Sequence, residues 1–201
     1  MIYSSTRGDF TQIQILKEEG FSCAAVSTRD YLVYGFPEYC KVAIYLWQPD
    51  GYRRIAKLEL GYHMGSKKSM PVTLIKFCPE VADTFMCINS KMLRKACVKD
   101  VSTDGNYGLS RAYLKFENAF RSAGPSIIDF SYSEDGHSLV VLTDFEIILL
   151  DPFLHTELHR VQKVPCQQPR LLLPRSFDSK YFPIVIFETQ DGLVINDILS
   201  G

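Results

Sequence analysis

The sequence IIDFSYSEDGHSLVVLTDFEIILLDP, residues 127–152, contains three apolar runs separated by two turn signals. The runs cover residues 127–132, 138–143 and 146–150. The first turn contains Asp135-Gly136, a pair that favours the positive φ values of a tight turn. Short apolar runs bounded by such residues are typical of β-strands. The stretch therefore predicts antiparallel strands, of which the inner ones are buried on both faces.

The same unit recurs along the chain. The residues that close the first run of each unit are Ser27, Pro79, Ser133 and Ser176, which are separated by 52, 54 and 43 residues. Four-stranded propeller blades recur at about 40 to 50 residues, whereas a β-sandwich shows turn signals without such a period. The sequence therefore predicts an all-β fold of the β-propeller type.

The whole chain, 1–201, is predicted to be a single propeller-like region with about three complete blades and parts of others. Residues 1–20 would be the closing strands of a preceding blade. The predicted blades cover residues 21–60, 72–116, 127–164 and 170–199. Since closed propellers have about four to eight blades, the array is expected to be incomplete, as a fragment of a longer propeller or with strands supplied by a partner.

One segment leaves two alternatives open. LSRAYLKFENAF, residues 109–120, places its apolar residues at helix-like spacing. The same residues could equally form a strand followed by a loop.

Residues 127–152 resemble a blade of the WD-repeat family. In that family the first strand typically ends in Phe-Ser-Pro-Asp-Gly and the third closes in Trp-Asp. Here Phe130-Ser131-Tyr132-Ser133-Glu134-Asp135-Gly136 follows the first pattern, and Leu150-Asp151 replaces the second. Gly61-Tyr62-His63 is a loose form of the family's Gly-His pair. The resemblance implies a propeller that binds other proteins.

A second, narrower resemblance rests on YLVYGFPEYCKVAIYLWQPDGYRRIAKLEL, residues 31–60. An apolar strand, an insert with a proline, an apolar strand ending in an aromatic residue and a basic outer strand follow one another. In this order the segment is similar to a blade of the cilia- and flagella-associated WD-repeat proteins. The resemblance implies a role in axoneme assembly or dynein regulation, with axonemal, dynein-associated or microtubule proteins as partners.

Composition excludes several classes of function. The net charge of −1 does not favour nucleic acid or anionic membranes as partners. No apolar run approaches the roughly 20 residues that span a bilayer, and residues 1–9 lack the apolar core of a signal peptide. We therefore expect a cytoplasmic protein, in its narrower form located in the ciliary or flagellar axoneme, without a small-molecule substrate.

No catalytic residue and no cofactor are predicted. The six cysteines have no Cys-x-x-Cys spacing, lie mostly within apolar runs and are predicted to be buried free thiols. They are Cys23, Cys40, Cys78, Cys87, Cys97 and Cys166. No serine, histidine or glycine pattern selects a nucleophile or a phosphate loop.

A metal site is considered and not predicted. His155 and His159 lie four residues apart and would share one face of a helix. Residues 154–164 are instead predicted to form an outer strand, in which two residues four apart are too distant for one metal ion, at about 3.3 Å per residue.

Protein-interaction residues are predicted on loops and outer strands. The candidates are Tyr39, Arg53, Arg54, Lys67 and Lys68. Together with Lys91, Arg94, Lys95 and Lys99 the basic residues could form a positive rim, and the rival interpretation is a solvated polar face. The predicted function is a non-catalytic scaffold. A generic adaptor in ubiquitin transfer, trafficking or checkpoint signalling is the first alternative, and a hydrolase on a propeller scaffold is the second.

Overall fold

The structure is a computed structural model. It describes residues 2–6, 9–14, 22–36, 41–59, 71–100, 102–104, 111–113, 116–133, 135–162, 170–172, 184–189 and 192–197. Within these residues the regular structure consists of β-strands and one short 3-10 helix, Val98–Asp100. No helix in this part of the chain is both long enough and apolar enough to cross a membrane. The prediction of an all-β fold is confirmed.

The strands form antiparallel sheets that follow one another along the chain. A hairpin comes first, made of β1 (Ile2–Thr6) and β2 (Asp9–Gln14). The first blade is made of β3 (Cys23–Val26), β4 (Tyr31–Gly35), β5 (Lys41–Gln48) and β6 (Gly51–Glu59).

The second blade starts with three consecutive strands, β7 (Val72–Phe77), β8 (Thr84–Asn89) and β9 (Met92–Cys97). A hairpin is then inserted, made of β10 (Ser102–Asp104) and β11 (Arg111–Tyr113). The fourth strand of the blade is β12 (Glu117–Arg121), which pairs with β9.

The third blade is made of β13 (Ile127–Tyr132), β14 (Leu139–Thr143), β15 (Glu146–Leu150) and β16 (Glu157–Gln162). A sheet of three described strands follows, made of β17 (Arg170–Leu172), β18 (Ile184–Thr189) and β19 (Gly192–Asp197).

Two expectations for residues 109–120 are corrected. The helix alternative is wrong for the described part of this segment, which contains β11 and most of β12. A bulge between Asn118 and Phe120 interrupts the two-residue alternation of β12, which accounts for the two consecutive apolar residues Ala119 and Phe120 at the end of the segment. The second blade also extends beyond the predicted boundary at residue 116, because its outer strand follows the inserted hairpin.

Burial follows the position of a strand in its blade. Every residue of β8 and β14, the second strands of their blades, is buried. The outer strand β16 is exposed or half-buried throughout. A strand covered on both faces must be apolar at consecutive positions, and this explains the continuous apolar runs of the sequence.

The core lies between neighbouring blades. The first interface joins the first and second blades through the buried residues Val33, Val42, Ile44, Ala56, Leu58, Val72, Ile75, Phe85, Cys87, Ala96 and Val98. The second interface joins the second and third blades through Cys78, Met86, Ile88, Leu93, Ala119, Ile127, Phe130, Tyr132, Leu139, Val141, Ile148 and Leu150. Each blade is therefore stabilised mainly by its neighbours.

One ion pair crosses the second interface at a half-buried position. The Lys76 ammonium lies 3.1 Å from Asp129 Oδ1 and also donates to the carbonyl of Phe130. Since Phe130 is fully buried, this contact fixes the position of β13 against β7.

The turn between β13 and β14 packs closely against the second blade. Gly136 has a φ of +74°, as the Asp-Gly pair predicts. A Cβ atom at this position would lie 3.0 Å from Glu80 Cβ and 3.2 Å from the Glu80 nitrogen. The Ser133 hydroxyl accepts from the Ser138 nitrogen at 2.9 Å and donates to Asp135 Oδ1 at 2.6 Å, which holds the turn in this shape.

We predict that Gly136→Ala destabilises the protein by about 1–2 kcal/mol, because an L side chain is strained at positive φ and meets Glu80. Gly124→Ala is the matched control, since a Cβ there meets no atom within 4 Å. Thermal unfolding should show a melting temperature several degrees lower for Gly136→Ala only. Equal melting temperatures for the two variants would contradict the close packing of this turn.

Candidate protein-interaction site

Connections of the three four-stranded blades meet at one end of the sheets, and we call this surface the turn face. It comprises the links from first to second strand and from third to fourth strand. The described residues of these links are 27–30, 49–50, 78–83, 98–100, 133, 135–138 and 151–156. Because adjacent strands are antiparallel, these links leave the sheets at one end and the remaining links leave at the other.

Asp83 holds the first and second blades together at the turn face. Its side chain is only 6% exposed, and its Oδ2 lies 2.7 Å from Arg29 Nη1 and 2.5 Å from Lys99 Nζ. The Asp83 carbonyl accepts from the Val98 nitrogen at 2.7 Å. One carboxylate therefore locates a turn of the first blade and the end of β9.

Phe153 lies at the junction of the second and third blades. The Lys95 ammonium donates to the Pro152 carbonyl at 3.2 Å and lies 5.6 Å from the centre of the Phe153 ring. His137 belongs to the turn between β13 and β14 of the third blade, and its ring centre lies 6.2 Å from the Phe153 ring centre. His137 Nδ1 in turn lies 3.8 Å from Glu80 Oε2. The aromatic ring is thus positioned by residues of both blades.

The turn at residues 151–156 is held in one conformation by Asp151. Its Oδ1 accepts from the Phe153 nitrogen at 2.7 Å and from the Leu154 nitrogen at 2.8 Å. Its backbone nitrogen donates to the Thr156 carbonyl, and its carbonyl accepts from His155. His155 has a φ of 56°, in the left-handed region. Aspartate commonly closes turns in this way.

This turn presents two apolar side chains to solvent. Leu154 is 73% exposed and Phe153 is 42% exposed. Three further apolar side chains are exposed at or beside the turn face, namely Val26, Trp47 and Val81. Exposed apolar side chains on a fixed backbone are suited to serve as interface anchors, because little freedom remains to be lost on binding.

The surroundings of His155 shift its pKa toward the neutral form of the imidazole. Burial lowers the pKa of His155 below its ordinary value of 6.5, and the charge of Lys95 lowers this pKa further. The carboxylates of Glu117 and Asp151 oppose this shift with smaller effects. Nε2 is buried and has no hydrogen-bond partner among the described residues.

The predicted interaction residues fall into two groups. Arg53 and Arg54 are exposed on the outer strand β6. Arg53 Nη2 donates a hydrogen bond to Asp50 Oδ2. The other three, Tyr39, Lys67 and Lys68, lie outside the described residues, so their role stays a prediction.

The predicted positive rim is not assembled on the second blade. Lys91 precedes β9 and Lys99 follows it in the 3-10 helix Val98–Asp100, so the two residues lie at opposite ends of the strand. Lys99 is also paired with Asp83. Arg94 and Lys95 lie within β9 itself.

His155 and His159 occupy different elements. The predicted outer strand 154–164 begins later than expected, at Glu157, because Asp151 folds the preceding residues into a turn. His155 therefore lies in the turn and His159 in β16. No group of three or more metal-ligating side chains is found among the residues that the structure describes.

Four of the six cysteines are described, and none of these four forms a disulfide with another. Cys78 and Cys87 are buried, whereas Cys23 and Cys97 are partly buried. Burial raises the pKa of the Cys23 thiol. Cys40 and Cys166 lie outside the described residues.

Sequence reasoning missed Phe153 and Leu154. In the sequence, Asp151 is interpreted only as part of the closing pair of the WD-repeat pattern. Its second property, an aspartate followed by proline directly after a strand, is a turn signal. That signal indicates that Phe153 and Leu154 belong to a turn and not to the strand that follows.

We predict that His155 makes stability fall as the pH drops below about 6.5. The pKa of His155 is lower in the folded protein than in the unfolded chain, so the unfolded chain binds the proton first as the pH falls. The stability that His155 contributes is fully present above pH 6.5 and is lost as the pH falls from there toward the folded-state pKa. His155→Asn tolerates the left-handed backbone and removes the titrating group. The difference in melting temperature between pH 7.5 and 5.5 should be smaller in this variant, and an unchanged difference would contradict the prediction.

Comparison with known proteins supports the fold. No protein-family model matches the chain, and no curated protein matches its sequence. Among solved structures, the chain is similar to the β-propeller domain of Cps50 (Swd1) from Myceliophteria thermophila. The identity is 12% and the TM-score 0.56, and the alignment covers 85% of this chain and 49% of that domain.

The chain is also similar to apo AztD from Citrobacter koseri, with 10% identity and a TM-score of 0.54. This alignment covers 90% of the chain and 45% of AztD. The chain thus spans about half the length of the solved chains it matches. Together with the successive four-stranded antiparallel sheets, these likenesses show that its fold is that of a β-propeller.

Proposed function

We propose that this chain is a non-catalytic protein-interaction scaffold of the WD-repeat type, which binds partners through the turn face. The observation that carries the proposal is the capped turn at residues 151–156, which holds Phe153 and Leu154 exposed to solvent. No cofactor enters this function, since the binding energy comes from burial of the two side chains.

The energetic argument favours these two residues as anchors. Full burial of a leucine or phenylalanine side chain contributes about 1.5–3 kcal/mol. The backbone of the turn is already fixed by Asp151, and the Phe153 ring is already oriented by Lys95 and His137. The entropy lost on binding is therefore small, and most of the burial energy remains available for affinity.

A finer version of the proposal places the scaffold in the axoneme of motile cilia or flagella, with roles in axoneme assembly or dynein regulation. Its support is the order of elements in residues 31–60, which is similar to a blade of the cilia- and flagella-associated WD-repeat proteins. A tagged copy in ciliated or spermatogenic cells tests it. Signal along the axoneme would support it. Diffuse cytoplasmic signal would contradict it and leave a general adaptor in a cytoplasmic complex.

We predict that the double variant Phe153→Ser/Leu154→Ser loses its partners. Loss of two anchors should weaken binding at least about tenfold, since 1.4 kcal/mol corresponds to a factor of ten. Quantitative affinity capture from cells, followed by mass spectrometry, measures the change in recovery of each protein that the unchanged chain enriches.

Leu158→Ser is the matched control, because Leu158 is also an exposed leucine of the third blade but lies on β16. The control should retain the partners that the double variant loses. An equal loss in both variants, or full recovery by the double variant, would contradict binding through the turn face. Melting temperatures of all three proteins establish that folding is unchanged.

A further inference from the structure

The charges of the turn face are unbalanced. Its described residues include seven carboxylates and two basic side chains. The carboxylates belong to Asp30, Asp50, Glu80, Asp83, Asp100, Asp135 and Asp151. The basic side chains belong to Arg29 and Lys99. With histidine counted as neutral, the described part of the face therefore carries an excess of negative charge, on a chain whose net charge is only −1.

Basic side chains that reach the face from the strands do not remove this excess. Arg53 of β6 is paired with Asp50, and Lys95 of β9 donates to a carbonyl of the turn at residues 151–156. With both included, the described residues still provide seven carboxylates against four basic groups. Arg160, on β16, is paired with two carboxylates of its own blade. The face therefore stays acidic after its neighbours are counted.

Asp30 and Asp100 flank the junction of the first and second blades. Both are exposed. Their neighbours in the sequence, Arg29 and Lys99, are directed to the buried carboxylate of Asp83. At this junction two exposed carboxylates are therefore accessible to basic side chains of a partner.

Glu80 brings a carboxylate close to the apolar side chains Phe153 and Leu154. Its Oε2 lies 3.8 Å from His137 Nδ1, and the centre of the His137 ring lies 6.2 Å from that of Phe153. The Glu80 side chain is 44% exposed, and Val81, which follows it, is also exposed. The junction of the second and third blades therefore presents negative charge and apolar surface together.

We propose that the turn face binds a basic polypeptide segment that carries apolar side chains among its lysines or arginines. Its apolar side chains would cover Phe153 and Leu154, and its basic side chains would meet Glu80, Asp30 and Asp100. Charge complementarity identifies this partner. The inference rests on the proposed function and adds the chemistry of the partner.

A basic polypeptide fits this face better than nucleic acid or an anionic membrane, because phosphates would meet carboxylates. The distance between the two junctions also suits a polypeptide. Lys95, at the second junction, and Lys99, at the first, are four residues apart along β9 and the 3-10 helix. An extended chain covers at most about 3.3–3.6 Å per residue, so a segment of about ten residues spans both junctions.

The test uses a fluorescein-labelled peptide of about twelve residues, rich in lysine and containing two leucines. Fluorescence anisotropy with the full chain measures its affinity. A peptide with glutamate in place of every lysine should not bind. A peptide with serine in place of both leucines should bind at least about tenfold more weakly, because apolar burial is lost. Added NaCl should weaken binding of the lysine peptide, because exposed charges are screened.

Glu80→Lys should weaken binding of the lysine peptide about three- to tenfold, because an attraction becomes a repulsion. Asp100→Lys should act in the same direction at the other junction. Asp144→Lys is the matched control, since it makes the same change of charge at an exposed aspartate between β14 and β15, at the opposite end of the sheet. It should change the affinity less than about twofold, and melting temperatures of the variants establish that folding is unchanged.

Four results would overturn the basic partner. The lysine peptide does not bind, the glutamate peptide binds equally well, Phe153→Ser/Leu154→Ser binds the lysine peptide unchanged, or Asp144→Lys loses as much affinity as Glu80→Lys. The affinity capture from cells is independent of these results. Loss of cellular partners by Phe153→Ser/Leu154→Ser would still support binding through the turn face, with a partner of different chemistry.

Discussion

The packing of one blade face against the next is the constraint on which the rest of the structure depends. A four-stranded sheet with two apolar faces cannot be stable alone in water, because both faces must be covered. In this chain the second blade is covered on both sides by the two described interfaces, through Phe85 toward the first blade and Met86 toward the third. Neighbouring blades are therefore stabilised together, and the surfaces left for binding are the turns and the outer strands.

The polar contacts of the turns determine how the packed blades are placed relative to one another. Asp83 joins two blades through Arg29 and Lys99, and Lys76 joins β7 to β13 through Asp129. Each of these contacts joins side chains of two different blades or of a turn and a strand end, so its main effect is to set where the turns lie relative to one another. The turn that exposes Leu154 is held separately, by hydrogen bonds to Asp151 within the third blade.

The architecture could be predicted from the sequence, whereas the candidate sites could be predicted only in part. Continuous apolar runs such as Leu139–Thr143 identify strands that are buried on both faces, and the period of the units identifies blades. The bulges at Ile55 and Ala119 could not be predicted, because the bulged residue has no local signature and alters the apparent periodicity. The exposure of Leu154 depends on a hydrogen bond from its own nitrogen to Asp151, and apolar patterning alone would place this residue in the core.

The hairpin of β10 and β11 has a consequence for how the chain folds. In the first and third blades the third and fourth strands are joined by short turns, at residues 49–50 and 151–156, so the outer strand can pair early through local contacts. In the second blade, β12 must find β9 across the inserted hairpin, and the closing of a longer loop costs additional entropy before any contact forms. Non-local pairing slows folding. The second blade is thus expected to complete its sheet after its two neighbours, with the outer edge of β9 exposed to competing strands until it does.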